Sequence, residues 1–106
     1  MAEQFVESKL KPSKVTMFEK PTCGFCTRAK GILKKYKFKE GHLEIIDITN
    51  LDFMGSVQDY FLKKTGERTL PRVFIGEKCI GGCSDLVQLD SNEELERMLQ
   101  SIGALQ

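Results

Sequence analysis

Two cysteines, Cys23 and Cys26, stand three positions apart between an apolar run and a helical pattern. The preceding run, Lys14–Glu19, is rich in β-branched and aromatic residues and predicts a strand. After the motif, apolar residues recur at helical spacing, at Ala29, Ile32, Leu33 and Tyr36. Cys23 therefore stands where a helix begins, close to the N–H groups that have no partner within the helix. Because Cys26 lies one turn further in, the two thiols are expected to differ in reactivity.

Three further strands follow, and together they predict the fold class. They are Leu43–Ile48, Pro71–Ile75 and Lys78–Ile80, with Gly76-Glu77 as a tight turn between the last two. A long helix joins the first two strands, which should therefore be parallel with a right-handed crossover. The sequence thus predicts an α/β fold with a mixed four-stranded sheet, two parallel strands plus an antiparallel hairpin, flanked by helices.

Helices are also predicted at both ends of the chain and between the strands. The first covers residues 3–10, and another starts near Met54 and closes at Gly66. A short helix follows Ser84-Asp85. Ser91–Glu94 has the form of a capping box, which predicts the start of the last helix.

Length and charge narrow the functional class. The chain has 106 residues, which predicts one domain over residues 1–106. A net charge of +1 gives the protein no strong positive electrostatic field that would attract nucleic acid or an acidic membrane. We see no signal peptide and no apolar run of membrane-spanning length, so a reducing cytoplasm is the expected compartment. There, Cys-x-x-Cys is more often catalytic or metal-binding than a structural disulfide.

The residues alone leave a redox pair and a zinc site open. In the redox interpretation, Cys23 is the attacking thiolate and Cys26 the resolving thiol, since a helix start and nearby cations lower a thiol pKa. A zinc site would need Cys79 and Cys83 to converge with the first pair. Against zinc, Cys26 falls in a predicted helix and Cys79 in a predicted strand, whereas zinc ribbons carry their ligands on short loops.

Three motifs in order resemble the glutaredoxins, specifically vertebrate cytosolic members of the dithiol, thioltransferase type. They are Lys20–Cys26 (KPTCGFC), Thr69–Gly76 (TLPRVFIG) and Cys79–Asp85 (CIGGCSD). Thioredoxins match less well, because no Trp precedes the first cysteine and no Gly-Pro separates the pair. The resemblance implies the thioredoxin fold and a binding site for glutathione.

One half of that site is expected around a proline. The resemblance implies a cis peptide bond at Leu70-Pro71 facing the thiols, with the Leu70 backbone pairing with the cysteinyl part of glutathione. Phe25 would form an exposed wall of the pocket, and Lys20 would lie toward the glycine carboxylate. Thr69 belongs to the same set, and Gln58 and Arg72 are further candidates.

The other half is expected at a helix start. Glycines such as Gly82 let a ligand approach the backbone, and free N–H groups at a helix start suit a carboxylate. The resemblance implies that N–H groups near Cys83 and Ser84 hold the γ-glutamyl carboxylate, while Asp85 faces its ammonium. For Ser84 and Asp85, simple helix capping is the alternative.

The expected function is reduction of protein–glutathione mixed disulfides and protein disulfides, with glutathione as co-substrate, no required metal, and a monomeric enzyme. Gly24 departs from the family pattern, which has Pro there. Relatives with a small residue at this position include proteins that share a 2Fe–2S cluster between two subunits. The alternative is therefore a cluster carrier or sensor, a dimer in which Cys23 and bound glutathione hold the metal.

Overall fold

A computed structural model describes all 106 residues. The predicted order of five helices and four strands is confirmed. Its elements are α1 (Ala2–Lys9), β1 (Val15–Glu19), α2 (Gly24–Leu33), β2 (Leu43–Asp47), α3 (Met54–Thr65), β3 (Arg72–Ile75), β4 (Lys78–Gly81), α4 (Cys83–Ser91) and α5 (Glu94–Ser101). None of the helices is both long enough and apolar enough to cross a membrane.

The strands form one mixed sheet in the order β2-β1-β3-β4. β1 runs parallel to β2, with Val15 opposite Leu43. β3 is antiparallel to β1 and to β4. The predicted sheet, one parallel pair and an antiparallel hairpin, is confirmed. Because β1 and β3 are neighbours, the end of β1 meets the beginning of β3, where Phe18 pairs with Arg72.

Two apolar cores lie on opposite faces of this sheet, because successive side chains of a strand point to opposite sides. Met17 of β1 packs with α2, α4 and α5 on one face. Phe18 packs with α1 and α3 on the other. There, the ring centroids of Phe18 lie 5.1 Å from Phe61 and 5.9 Å from Phe74. Each such buried ring contributes roughly 1.5–3 kcal/mol to stability.

The last helix begins differently from the prediction. Ser91 ends α4, and its hydroxyl donates to the Val87 carbonyl at 2.8 Å, so the predicted capping box is wrong. Asn92 Oδ1 instead accepts the Glu94 N–H at 3.1 Å. Glu93 sits in the left-handed region at φ 66°, which turns the chain sharply between the helices. The cap therefore comes from the residue before that turn.

The second helix is shorter than its apolar pattern indicates. α2 ends at Leu33, one turn before Tyr36. Tyr36 still packs against the core beneath α2, and its hydroxyl donates to Asp90. The apolar spacing therefore marked a buried face correctly but extended beyond the helix.

Candidate active site

Cys23 stands at the beginning of α2, as its N-cap residue, with extended backbone at φ −91° and ψ 122°. Its N–H donates to the Lys20 carbonyl at 3.0 Å, which closes the turn after β1. Its own carbonyl accepts the Thr27 N–H at 3.1 Å, the first bond of the helix. These contacts fix the sulfur in front of the unpaired N–H groups of the first turn.

The pKa of Cys23 lies below its ordinary value, although burial acts to raise it. Hydrogen bonds from the N–H and the thiol of Cys26 and from the N–H of Phe25 outweigh that burial. The Lys20 ammonium adds a smaller stabilisation of the thiolate. The helix start thus prepares Cys23 as a nucleophile.

Cys26 is the opposite case, because it is fully buried. Burial raises its pKa to about 11, and the neighbouring Cys23 and the Glu19 carboxylate act in the same direction. A hydrogen bond from the Lys20 N–H offsets only part of this. Cys26 is therefore held as a thiol that donates toward the sulfur of Cys23.

A buried ion pair lies behind the two thiols. The Glu19 side chain, at the end of β1, is only 7% exposed, and Lys30 of α2 lies 2.7 Å and 3.0 Å from its two carboxylate oxygens. Lys30 is four residues after Cys26, so both project from one face of the helix. The charge of Glu19 acts on Cys26 and is balanced by Lys30.

The Leu70-Pro71 peptide bond is cis, as expected. Cys23 Sγ lies 4.0 Å from the Leu70 carbonyl oxygen, so the reactive sulfur and this loop face each other. The Leu70 N–H donates to no group of the chain. A free backbone donor beside a nucleophilic sulfur can pair with an extended peptide substrate.

The beginning of α4 borders the same region. The helix starts at Cys83, with Gly82 as its N-cap, and Asp85 Oδ2 accepts the Gly82 N–H at 2.9 Å. Asp85 therefore has the capping role that was its structural alternative, yet it remains exposed. The N–H groups of Cys83 and Ser84 have no partner in the chain and can receive an anion.

These groups border a cleft of about 520 Å³. Eight of the nine residues proposed for binding line it, and only Lys20 does not. Glu67, which carried no sequence signal, also lines it, as does Arg72. The full lining is Phe25, Glu67, Thr69, Leu70, Pro71, Arg72, Gly82, Cys83, Ser84 and Asp85. Phe25, 64% exposed, forms one wall.

Three other candidates lie outside this cleft. Lys20 is exposed and affects Cys23 through its charge. Gln58 donates to the Arg68 carbonyl at 3.2 Å. Cys79 lines a neighbouring cleft. Nowhere do three or more His, Cys, Asp or Glu side chains converge as metal ligands, so the geometry gives no support to the four-cysteine zinc alternative.

Comparison with known proteins identifies the family of this chain. The Glutaredoxin family model matches residues 15–80. Human Glutaredoxin-1 is 53% identical over 106 residues, which is the whole of both chains. Oxidized glutaredoxin 2 from Chlamydomonas reinhardtii is 34% identical with a TM-score of 0.89, covering 98% of this chain and 95% of that one. A buckwheat glutaredoxin–glutathione complex is 30% identical with a TM-score of 0.90, covering 100% and 94%.

The chain therefore belongs to the glutaredoxin family and has the thioredoxin fold. It is a glutathione-dependent thiol oxidoreductase of the glutaredoxin, or thioltransferase, type.

Proposed function

We propose that this enzyme reduces mixed disulfides between proteins and glutathione, with Cys23 as its nucleophile. The proposal rests on Cys23, a thiol with a lowered pKa, beside a cleft whose backbone N–H groups are free to bind a peptide. Leu70, whose carbonyl oxygen lies 4.0 Å from Cys23 Sγ, and the first residues of α4 all line this cleft, and their N–H groups have no partner in the chain. The buckwheat relative, solved as a glutathione complex, supports the choice of ligand.

In the first step, the Cys23 thiolate attacks the glutathione sulfur of the mixed disulfide. A bond forms between Cys23 and glutathione, the protein–glutathione bond breaks, and the protein leaves as a thiolate that takes up a proton. A second glutathione thiolate then attacks the glutathione sulfur held on Cys23. Glutathione disulfide leaves, and the Cys23 thiolate is restored. The lowered pKa of Cys23 supports both steps, since it supplies the nucleophile and improves the leaving group.

The cleft offers a partner for each part of glutathione. The Leu70 backbone would pair with the cysteinyl residue, as one strand pairs with another. The N–H groups of Cys83 and Ser84 would hold the γ-glutamyl carboxylate, and Asp85 would face its ammonium. Phe25 would cover the ligand, and Lys20, although outside the cleft lining, would attract the glycine carboxylate at longer range.

For protein disulfides we propose a route that uses both cysteines. Cys23 attacks and forms a mixed disulfide with the substrate, and Cys26 then attacks the Cys23 sulfur. The Cys23–Cys26 disulfide forms, the substrate leaves as a thiol, and two glutathione molecules later reduce the pair. Burial raises the pKa of Cys26, which opposes formation of the thiolate that must attack. We therefore expect the route through Cys23 alone to be faster when glutathione is abundant, as in the reducing cytoplasm we propose as its compartment.

A glutathione-coupled assay on a glutathionylated peptide tests the proposal. Wild type, Cys23→Ser and Cys26→Ser are compared, and the same three proteins are assayed on a peptide disulfide. Cys26→Ser should keep the first activity and lose the second, whereas Cys23→Ser should lose both. Deglutathionylation by Cys23→Ser would refute the assignment.

A second candidate function rests on Gly24, the first residue of α2. No heavy atom of the surrounding structure lies within 4 Å of the position that a Cβ would take there. The open space beside Cys23 leaves room for a 2Fe–2S cluster shared by two subunits, with Cys23 and glutathione as ligands. Purification without oxygen in the presence of glutathione decides between the two states. A brown dimer supports the cluster, and a colourless, active monomer supports the enzyme alone.

A further inference from the structure

The net charge of +1 conceals a strong separation of charge along the chain. Between Glu19 and Glu40, residues 20–39 hold seven of the sixteen Lys and Arg residues and none of the fifteen Asp and Glu residues. The rest of the chain therefore carries nine cations against fifteen anions. The basic segment contains the whole of α2, the helix that Cys23 caps. The positive charge of the protein is thus concentrated in the segment that carries its reactive sulfur.

Most of these cations have no counter-ion within the chain. Lys30 pairs with Glu19, and Lys35 pairs with Asp90. The other five are exposed and belong to no ion pair; they are Lys20, Arg28, Lys34, Lys37 and Lys39. Helix stability explains only part of this set, because cations stabilise the last turn of a helix and not its beginning. Arg28, in the second turn of α2, has no such role and is free to meet an anionic group of another molecule.

The outer side of α2 presents its cations on an open surface. Gly24, Arg28 and Gly31 recur at intervals of four and three residues, so they lie on one side of the helix, and all three are exposed. Lys34 follows three residues later and is exposed on the same side. No heavy atom of the surrounding structure lies within 4 Å of the Cβ position of either glycine. These four residues, named here the basic face, form a strip on which an extended segment can lie.

The basic face lies outside the cleft proposed for glutathione. Of residues 20–39, only Phe25 lines that cleft. When glutathione occupies the cleft, the protein half of a mixed disulfide must leave the sulfur in another direction. The basic face starts at Gly24, directly after Cys23, and is therefore within reach of that protein half.

We propose that the basic face binds an acidic segment of the substrate protein, close in sequence to the cysteine that carries glutathione. This inference rests on the proposed function and concerns its choice of protein substrate. An α-helix rises 1.5 Å per residue, so Arg28 and Lys34 lie about 8 Å and about 16 Å along the axis from Cys23. An extended peptide spans about 3.3 Å per residue. Acidic residues about two and about five positions from the target cysteine would therefore meet these two cations.

The test compares two glutathionylated peptides that differ only in charge. One has Asp at the second and fifth positions on each side of its single cysteine, and the other has Asn at the same positions. At low ionic strength, kcat/KM of the wild type should be about three- to tenfold higher for the acidic peptide, because complementary charge raises the rate of encounter. The preference should disappear at about 1 M salt, which screens exposed charges.

A pair of double variants separates the basic face from the net charge of the protein. Arg28→Glu with Lys34→Glu should abolish or invert the preference, because the acidic peptide then meets like charge. Lys11→Glu with Lys63→Glu changes the net charge equally at two exposed sites and should keep the preference. Lys63 belongs to α3, which packs on the other face of the sheet. On the mixed disulfide of glutathione and mercaptoethanol, the rates of the two double variants should agree within about twofold, since the second half carries no charge.

The ratio between the two peptides is the decisive readout, because a folding defect lowers both rates together. Equal rates for both peptides in the wild type, or an equal loss of preference in the two double variants, overturn the inference. An oligonucleotide that suppresses the reaction of the acidic peptide at a lower concentration of charge than polyglutamate does would assign the basic face to nucleic acid, which also overturns it. Wild type that fails to reduce either peptide would refute the proposed function itself, which is a separate result.

Discussion

Two helix starts face the same cleft, and they hold different groups. At the start of α2, the free N–H groups point at the sulfur of Cys23, which belongs to the chain itself. At the start of α4, Asp85 binds the Gly82 N–H, and the N–H groups of Cys83 and Ser84 remain free. The first turn of α2 has no acidic residue, whereas that of α4 carries Asp85.

This difference shows how one physical device serves two tasks. A helix start stabilises negative charge, whether the charge is a thiolate of the protein or a carboxylate of a ligand. An acidic side chain in the first turn of α2 would oppose the Cys23 thiolate. At α4, the negative charge of Asp85 occupies only the Gly82 N–H, so the N–H groups of Cys83 and Ser84 stay free for an anion. Asp85 can in addition attract a cationic group of the ligand. Chemistry and binding are thereby assigned to separate helices.

The largest expected effect on activity comes from removing the Cys23 thiolate at the start of α2. Cys23→Ser should lower glutathione transfer by roughly a thousandfold or more, because an un-ionised hydroxyl is a poor nucleophile for a disulfide. Glutathione binding at α4 should survive, which calorimetry on the variant can measure. Loss of binding together with activity would show that the two helix starts are not separate.

The next largest effect should come from removing the negative charge of Asp85 at the start of α4, and it should appear in the KM for glutathione. Asp85→Asn keeps an oxygen that can accept the Gly82 N–H but removes the negative charge. The KM for glutathione should rise about tenfold, while the alkylation rate of Cys23 stays the same. Asp90→Asn, which breaks the distant contact with Lys35, is the matched control. An unchanged KM in Asp85→Asn would remove its assigned role in binding.

A smaller effect should separate the two thiols of α2. Glu19→Gln should lower the pKa of Cys26, because it removes a negative charge that opposes the thiolate. Lys30→Gln should raise it, because Glu19 is then unbalanced. Each change should be roughly one pH unit or less. The rate of Cys26 alkylation against pH, measured in a Cys23→Ser background, reports both.

The two variants should shift the pKa of Cys26 in opposite directions, and this separates an electrostatic role of the ion pair from a structural one. If the ion pair served only to hold the fold together, both variants would loosen α2 and shift the profile in one direction. Lys35→Gln, whose ion pair with Asp90 lies elsewhere, should leave the profile unchanged.

The smallest effect tests the first residue of each helix. Gly24→Pro should stabilise the protein by about 0.4–1 kcal/mol, since proline suits a first-turn position and restricts the unfolded chain. Cys23 is already extended, as a residue before proline prefers, and the Cβ of residue 24 has free space. Cys83→Pro should instead destabilise, because that side chain is buried. Thermal unfolding measures both, and stabilisation at both positions would contradict the contrast.

The sequence predicted the elements and most of the residues that line the cleft, and its errors have local causes. The Ser91 capping box failed because Glu93 adopts a left-handed conformation, which moved the cap to Asn92. α2 stopped before Tyr36, although Tyr36 remains on the buried face. Apolar spacing reports which side of a segment is buried, but hydrogen bonds and turns decide where a helix ends.

Short sequence motifs predicted residues that line the cleft, but the sequence did not predict which charged residues lie near one another or near the cleft. Leu70-Pro71 and Gly82–Asp85 could be placed because each motif determines its own local backbone. Glu67 carried no signal, since nothing near it in the chain marks it as lining a cleft. The Glu19–Lys30 pair spans a strand end and a helix, so only packing brings the two charges together.

By itself, the sequence determined the alternation of strands and helices and the spacing of the two thiols. It also determined the glycines and the acidic residue at the start of α4. These follow from side-chain periodicity and local backbone preferences, which act over a few residues. Only the tertiary structure placed β3 beside β1, and only it left Arg72 buried without a counter-ion. Burial and the balance of charges depend on residues far apart in the chain, and therefore they are decided only when the sheet and its helices pack.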